Sequence, residues 1–253
     1  EGEINGGMLD EVFFDISGSV GRNKSSFSIV NTINSSMGPE SPRDFDLGDY
    51  TQLEKTFNLD LSKGVEVGLD SPMNVAGGLE WREETFEIGA GDQYSFLAGP
   101  LIDQGFNLGS HGFPGFQPSQ AGVFSRRSVA AYVDVEAYIT DDFLLGAALR
   151  YEDFSSFGDT LNYKLTAQYS INDELSIRGS VSTGFRAPTV GQANVSNVST
   201  ALEDGELTDS ALLPPTSEFS KLFGGKELEP EQSSSYAFGA VYQNGDFFFT
   251  ADY

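Results

Sequence analysis

Cysteine is missing from this sequence, and histidine occurs only once, at His111. Without cysteine the chain has neither thiolate ligands for a structural zinc nor disulfides. A Ser-His-Asp site would have to use His111, yet no Gly-x-Ser-x-Gly motif is present, and a glycine-rich loop holds a base poorly in register. Asp44, Asp46 and Asp49 resemble a calcium loop, but Lys55 stands where its closing Glu should be. We therefore expect no enzyme activity, no metal site and no cofactor.

Basic residues and long apolar runs are also scarce. The 14 Lys and Arg stand against 38 Asp and Glu, a formal net charge of −24, which argues against nucleic acid as a partner. The nearest approach to a membrane helix, Phe143 to Leu149, falls far short of the required length of about 18 residues, so only strands could cross a membrane. The chain begins at Glu1 without a signal segment and ends at Tyr253 inside a strand pattern. We interpret it as a piece of a longer protein.

Alternation of apolar and polar residues with a period of two runs through most of the chain and predicts β-strands. The clearest part gives four strands joined by turns of Asp, Asn, Gly and Ser. These strands are 128–139, 143–151, 161–171 and 175–183, with connections at 140–142, 154–159 and 172–174. Other strands are predicted at 12–20, 27–33, 53–68, 75–88, 236–242 and 247–253, with turns at 21–24, 70–73 and 244–245. The predicted fold is all-β, an antiparallel meander of about ten strands.

Long loops are predicted at 35–49, 89–125 and 185–232. Short turns at one end of the strands and long loops at the other are typical of bacterial outer-membrane barrels. A strand of about 10–12 residues tilted by about 40° would span roughly 25 Å, the height of that membrane's apolar band. A soluble sandwich or barrel shares the alternation and is the alternative architecture.

Several motifs occur in an order that is specific in combination. They are Gly184-Phe185-Arg186-Ala187-Pro188-Thr189; Leu228-Glu229-Pro230-Glu231-Gln232-Ser233, followed by Tyr236 and Gly239; Gly78 to Glu84; Gly91-Asp92; Arg126 to Asp134; and Arg150 to Gly158. With these motifs the chain resembles, from Gln52 to Tyr253, the barrel of TonB-dependent outer-membrane receptors.

The resemblance implies a transmembrane barrel of about 22 strands closed by an N-terminal plug. Residues 1–253 would then be a partial barrel domain, its central and C-terminal part, without the plug and the final strands. The implied function is active import of a scarce nutrient, such as an iron chelate, cobalamin or a carbohydrate, across the outer membrane of a Gram-negative bacterium. The implied partners are the TonB complex, outer-membrane lipid and a small-molecule or oligosaccharide ligand. The alternatives are a passive outer-membrane channel, an adhesion barrel, and a soluble secreted carbohydrate-binding β-domain.

Two groups of residues are candidate functional sites. Gly184, Phe185, Arg186, Ala187, Pro188, Pro230 and Glu231 form a structural rim motif, in which a strand ends and turns into a loop. Arg186 either pairs with an acidic group such as Glu231 or is a solvated rim charge. The second group is His111, Phe113 and Phe116, which either contact a ligand from outside or serve ordinary loop packing.

Overall fold

The computed structural model describes residues 2–4, 11–203 and 206–253. Strands make up most of it: β1 (Gly2–Ile4), β2 (Val12–Ile29), β3 (Phe45–Val65), β4 (Met73–Ala90), β5 (Gly122–Thr140), β6 (Phe143–Phe154), β7 (Gly158–Ser170), β8 (Leu175–Arg186), β9 (Asn197–Glu203), β10 (Glu206–Leu212), β11 (Glu231–Asn244) and β12 (Phe247–Asp252). The helices are short: α1 (Val190–Asn194), α2 (Glu218–Leu222), and 3-10 turns at Ser35–Glu40, Gln93–Ser95 and Ile102–Gln104. Within the described ranges, no helix is long and apolar enough to cross a bilayer.

Ten of these strands form one antiparallel sheet in the order β1-β2-β3-β4-β5-β6-β7-β8-β11-β12, while β9 and β10 pair only with each other. Strands that follow one another in the chain are therefore neighbours in the large sheet. The exception is β8 and β11, which are neighbours although the β9–β10 hairpin lies between them in the chain. The predicted all-β antiparallel meander of about ten strands is confirmed. Short connections at 66–72, 141–142, 171–174 and 245–246 lie at one end of the sheet, and loops 30–44, 91–121 and 187–230 lie at the other. We call these the short-turn end and the loop end.

The predicted turn at Gly21–Lys24 is wrong, because β2 runs through it without a break. Gly21 pairs with Glu54 and Lys24 with Thr51, in register with the rest of β3. Gly21 also lacks the positive φ of a turn glycine. A run of Gly, Asn and Lys favours a turn locally, but each residue of the run is in register with a residue of β3, and tertiary pairing overrides the local preference. The separate strands 12–20 and 27–33 are therefore largely one strand.

The predicted loop bounds also shift. Phe45 and Leu47 belong to β3, so the loop predicted at 35–49 occupies 30–44. Both side chains are buried, at 3% and 4% exposure. The loop after β4 also pairs with this end of the strand, since the Phe116 amide donates to the Leu47 carbonyl at 2.9 Å. Likewise the loop predicted at 89–125 occupies 91–121. The loop predicted at 185–232 occupies 187–230 and contains α1, α2 and the β9–β10 hairpin, whereas the connection predicted at 154–159 is only 155–157.

The two faces of the sheet differ in chemistry. One, the apolar face, carries exposed aliphatic and aromatic side chains in cross-strand rows, such as Leu61 of β3, Val133 of β5 and Leu149 of β6. The other, the polar face, carries ion pairs: Arg150 Nη2 lies 3.2 Å from Glu80 Oε2 and 3.0 Å from Glu152 Oε2. The period of two places alternate residues of each strand on opposite faces. This division agrees with the predicted alternation.

The strands are not of equal length. β2 to β5 have 18, 21, 18 and 19 residues, whereas β6, β7 and β8 have 12, 13 and 12. At the loop end β5 begins at Gly122, and its pairing with β6 starts only at Ser128 opposite Phe154. β5 therefore extends beyond β6 at this end, and the edge of the sheet is stepped.

Candidate functional site at the loop end of the sheet

A cluster of aromatic rings covers the polar face at the loop end. Phe116, only 2% exposed, stacks on Tyr50 with ring centroids 4.8 Å apart and meets Phe27 and Phe113 edge-on at 5.9 and 5.8 Å. Phe86, Ile88 and Val190 complete the buried core. Tyr50 lies in the part of β3 beyond the apolar rows, and burial raises the pKa of its hydroxyl above the ordinary value. The cluster fixes loop 91–121 to the sheet.

Buried polar groups hold the same loop from within. Asn34 is fully buried, and its side-chain amide donates to the Tyr94 and Leu97 carbonyls at 3.0 and 2.8 Å. The Asp92 carboxylate accepts the amides of Asp46, Tyr94 and Ser95. A buried amide that loses its partners is costly, so the bonds of Asn34 favour this conformation of the loop, and those of the half-buried Asp92 add to it.

The three residues predicted to contact a ligand differ in how far their side chains are exposed. His111 is exposed, while its backbone is fixed: its amide donates to the Ile33 carbonyl and its carbonyl accepts from the Thr32 hydroxyl, both at 2.9 Å. Phe113 is half-buried at the edge of the ring cluster, and Phe116 lies inside it. In this arrangement Phe116 packs the loop, and only His111 and part of Phe113 face solvent.

The rim motif spans the end of β8 and the start of β11. Arg186 and Glu231 are direct cross-strand partners, with Arg186 Nη1 4.0 Å from Glu231 Oε2 and side-chain exposures of 70% and 76%. An ion pair this long and this exposed contributes little. Gly184 lies in β8, where a Cβ would come within 3.0 Å of Ser233 Oγ. Ala187 follows the strand, and Pro230 precedes β11.

Arg126 in β5 is the buried cation of this region, and sequence reasoning gave it no role. It is 6% exposed, and its guanidinium donates to Glu84 Oε2, with Nε at 3.0 Å, and to the Pro188 carbonyl. The guanidinium carbon also lies 5.3 and 5.6 Å from the ring centroids of Phe154 and Phe157. The available signal was the Arg126-Arg127 pair, because adjacent strand residues point to opposite faces and one of the two had to enter the polar face.

The segment after Pro188 is thereby tied across the polar face. Thr189 caps α1 in a capping box with Gln192, which satisfies the first amides of the helix. Val190 enters the ring cluster beside Phe86, while Phe185 meets Phe154 edge-on at 5.7 Å. Within the rim motif, Phe185 and Pro188 make the buried contacts, whereas the Arg186–Glu231 pair is exposed.

Two cavities flank α1. The first, of about 380 Å³, is lined by residues that include Asn23, Gln52, Glu54, Glu84, Phe86 and Gly191. The second, of about 270 Å³, lies against Arg126, Phe157, Pro188, Asn194, Thr216 and Glu227. Amide and carboxylate oxygens beside a ring suit a ligand rich in hydroxyl or amine donors. In the described ranges, no cluster of three or more Asp, Glu or His side chains could hold a metal ion.

An antiparallel sheet with one apolar and one charged face, short turns at one end and long loops at the other, has the features of a membrane β-barrel wall. The family model described as TonB dependent receptor-like, beta-barrel matches residues 10–253. The chain therefore belongs to the TonB-dependent receptor β-barrel family, which is a family of transport receptors. The resemblance read from the sequence motifs is confirmed.

Solved receptors have a similar fold. The ferric enterobactin receptor of Pseudomonas aeruginosa, as a Q482A mutant with enterobactin, matches 99% of this chain at a TM-score of 0.61 and 14% identity. The siderophore receptor PirA of Acinetobacter baumannii matches 93% at 0.55 and 18% identity. The ferric-catecholate import receptor Fiu of E. coli K12 matches 97% at 0.57 and 14% identity. The chain spans 32%, 34% and 38% of these three receptors, about a third of their length.

Proposed function

We propose that this chain is part of the outer-membrane wall of a TonB-dependent importer of an iron chelate in a Gram-negative bacterium. The observation that carries the proposal is the family match over residues 10–253. The similar solved receptors bear the names of siderophore and ferric-catecholate receptors, which supports an iron chelate over cobalamin or a carbohydrate. Family membership also favours an importer over a passive channel, an adhesion barrel or a soluble carbohydrate-binding domain.

The proposed partners follow from this function. The apolar face contacts lipid, the polar face turns toward a plug, and the TonB complex acts on a region outside these residues. At the loop end, the exposed imidazole of His111 and the edge of Phe113 offer the ligand an aromatic surface, with Phe116 holding the loop behind them. The rim motif leads into α1, which the two cavities flank at the same end of the sheet.

The test uses the full-length gene in a Gram-negative host that lacks its own chelate receptors. Cell fractionation first establishes whether the protein reaches the outer membrane. Uptake of radioactive iron is then measured with a panel of ferric hydroxamates and ferric catecholates, in hosts with and without TonB. We expect uptake of at least one chelate that disappears without TonB.

Three other results would contradict parts of the proposal. Uptake that persists without TonB would indicate a passive channel. An outer-membrane protein that binds an oligosaccharide or cobalamin, and no iron chelate, would leave the importer standing and overturn its substrate. Recovery of the protein in the soluble fraction would overturn the wall itself.

A further inference from the structure

Acidic residues predominate in the loops at the loop end. Loops 30–44, 91–121 and 187–230 together contain 11 Asp and Glu against three Lys and Arg. An opening lined by charges of one sign repels solutes of that sign and concentrates solutes of the other. The loops of this chain therefore disfavour anionic solutes at the end of the sheet where the proposed ligand would arrive.

The cations near this end do little to balance that charge. Arg126 is buried, and its guanidinium is bound to Glu84 and to the Pro188 carbonyl. Lys24 lies 3.0 Å from Asp49. The three cations of the loops are exposed, and none of them lines either cavity beside α1; they are Arg43, Lys221 and Lys226.

Glu54 places a free carboxylate in the larger of these two cavities. It stands directly opposite Glu84 across β3 and β4, and only Glu84 is neutralised by Arg126. In the described ranges the exposed Glu54 side chain has neither an ion pair nor a hydrogen bond. Arg82, the next cation on this face of β4, is paired with Glu80 at 3.1 Å. Like charges opposite each other in a sheet are destabilising, so the negative charge at Glu54 is kept at a cost in stability.

The strand residues around Glu54 add neutral hydrogen-bonding groups to this cavity. Asn23 and Gln52 are cross-strand partners on the polar face, in the row next to that of Glu54. Arg22 also borders the cavity, but Gly21 and Asn23 on either side of it belong to the polar face. The alternation of β2 therefore directs the Arg22 side chain to the apolar face.

The smaller cavity has the same character. Glu227 lines it and is exposed. Hydroxyl and amide side chains line it as well, such as Ser156, Thr216 and Asn194. The cation among its described lining residues is Arg126, whose bonds to Glu84 and Pro188 are already made. Both cavities therefore offer a ligand acceptor groups and ring surface, and no free positive charge.

Iron chelates differ in charge according to the groups that hold the metal. Iron(III) bound by three catecholates carries three negative charges. Iron(III) bound by three hydroxamates is neutral, and a free amine on such a chelator makes the complex cationic. Glu54 would repel a complex of the first kind and attract a complex of the last kind.

We propose that this receptor takes up iron in uncharged or cationic chelates of the hydroxamate class, and that Glu54 is a specificity-determining residue that disfavours anionic chelates. The proposal deepens the proposed function and rests on it. It departs from the ferric-catecholate receptor Fiu, to which this chain is only 14% identical. Charge at the loop end, rather than the shared fold, carries the proposal.

The test measures binding of three ferric complexes to the purified full-length receptor. They are the complex of a linear trihydroxamate that ends in a free amine, the complex of the same compound with that amine acetylated, and a tris-catecholate complex. We expect the tris-catecholate to bind at least about tenfold more weakly than either trihydroxamate. High salt should reduce this difference, because it screens exposed charges.

Glu54→Gln removes the charge and keeps the shape of the side chain. Its matched control is Glu87→Gln, which removes an exposed carboxylate near the same end of β4 but on the apolar face. Glu54→Gln should strengthen tris-catecholate binding and weaken binding of the amine-bearing complex, each by about tenfold. It should leave the acetylated complex unchanged. Glu87→Gln should bind all three complexes like wild type.

Each outcome decides between the hypotheses. Equal binding of the tris-catecholate and the trihydroxamates by wild type would overturn the charge preference. Relative affinities that are the same in Glu54→Gln and wild type would overturn the role of Glu54. TonB-dependent uptake of the tris-catecholate alone would overturn this proposal and leave the importer standing. Absence of TonB-dependent uptake of any iron chelate would instead refute the proposed function.

Discussion

Replacing Arg126 by alanine should release the segment after β8 from the sheet. The side chain is 6% exposed, and its guanidinium bonds both Glu84 and the Pro188 carbonyl. Removing one partner of a fully buried ion pair costs about 3–5 kcal/mol, but the Glu84 side chain is 27% exposed and regains water. We therefore expect a loss of about 2 kcal/mol, near that of a hydrogen bond to a charged group.

Hydrogen exchange in the full-length receptor measures this loss locally. A loss of about 2 kcal/mol corresponds to a roughly 30-fold increase in the opening of 188–194. Arg127→Ala is the matched control, because Arg127 is the next residue, is 69% exposed and pairs with Glu83 on the opposite face. We expect that control to leave exchange at 188–194 unchanged. Equal exchange in Arg126→Ala and wild type, or equal effects of the two substitutions, would refute the reasoning.

Three further substitutions test other parts of the structure. Phe116→Ala should lower the free energy of unfolding by about 3–4 kcal/mol. Phe106→Ala is the control, because Phe106 is a half-exposed residue of the same loop. Similar urea midpoints for the two alanine variants would contradict this packing. Val133→Arg should cost about 2–4 kcal/mol if Val133 lies in mid-membrane, whereas Val123→Arg, beyond the apolar rows, should fold into bilayers like wild type. Thr189→Ala should remove the cap of α1 at a cost of about 1 kcal/mol, seen as faster amide exchange confined to that helix.

The strands could be predicted from the sequence because burial on one face imposes a period of two. Leu161 to Ile171 and Leu53 to Leu61 alternate cleanly, and both lie mainly in strands of the sheet. The alternation says nothing about where a strand stops, because polar residues can also be paired in a ladder. Gly21 to Lys24 has a turn composition, yet every residue of it is paired in register with β3. Local composition and long-range pairing disagreed there, and pairing prevailed.

The candidate site was less predictable, for a related reason. The pair Arg186 and Glu231 was one of two alternatives open from the sequence, and the register of β8 and β11 makes the two residues cross-strand partners. Arg126 and Pro188, by contrast, meet only because the chain turns back after β8, and nothing in either segment encodes that fold. For Phe116, in a glycine-rich loop, the sequence left ligand contact and loop packing open, because its burial depends on Tyr50 and Phe27 from other strands. Contacts made by loops can therefore be identified only once the tertiary structure is known.

The unequal strand lengths have a consequence for the outline of the loop end. β2 to β5 exceed β6 to β8 by about six residues, which at about 3.3 Å per residue and a tilt of about 40° is a step of roughly 15 Å in height. Loop 155–157 is too short to fill that step. The sheet is therefore lower at β6 and β7 than at β4 and β5, and α1 packs against the two taller strands. Arg126 lies on β5, the last tall strand, so its bond to the Pro188 carbonyl holds the chain that returns from β8 against the edge of that step.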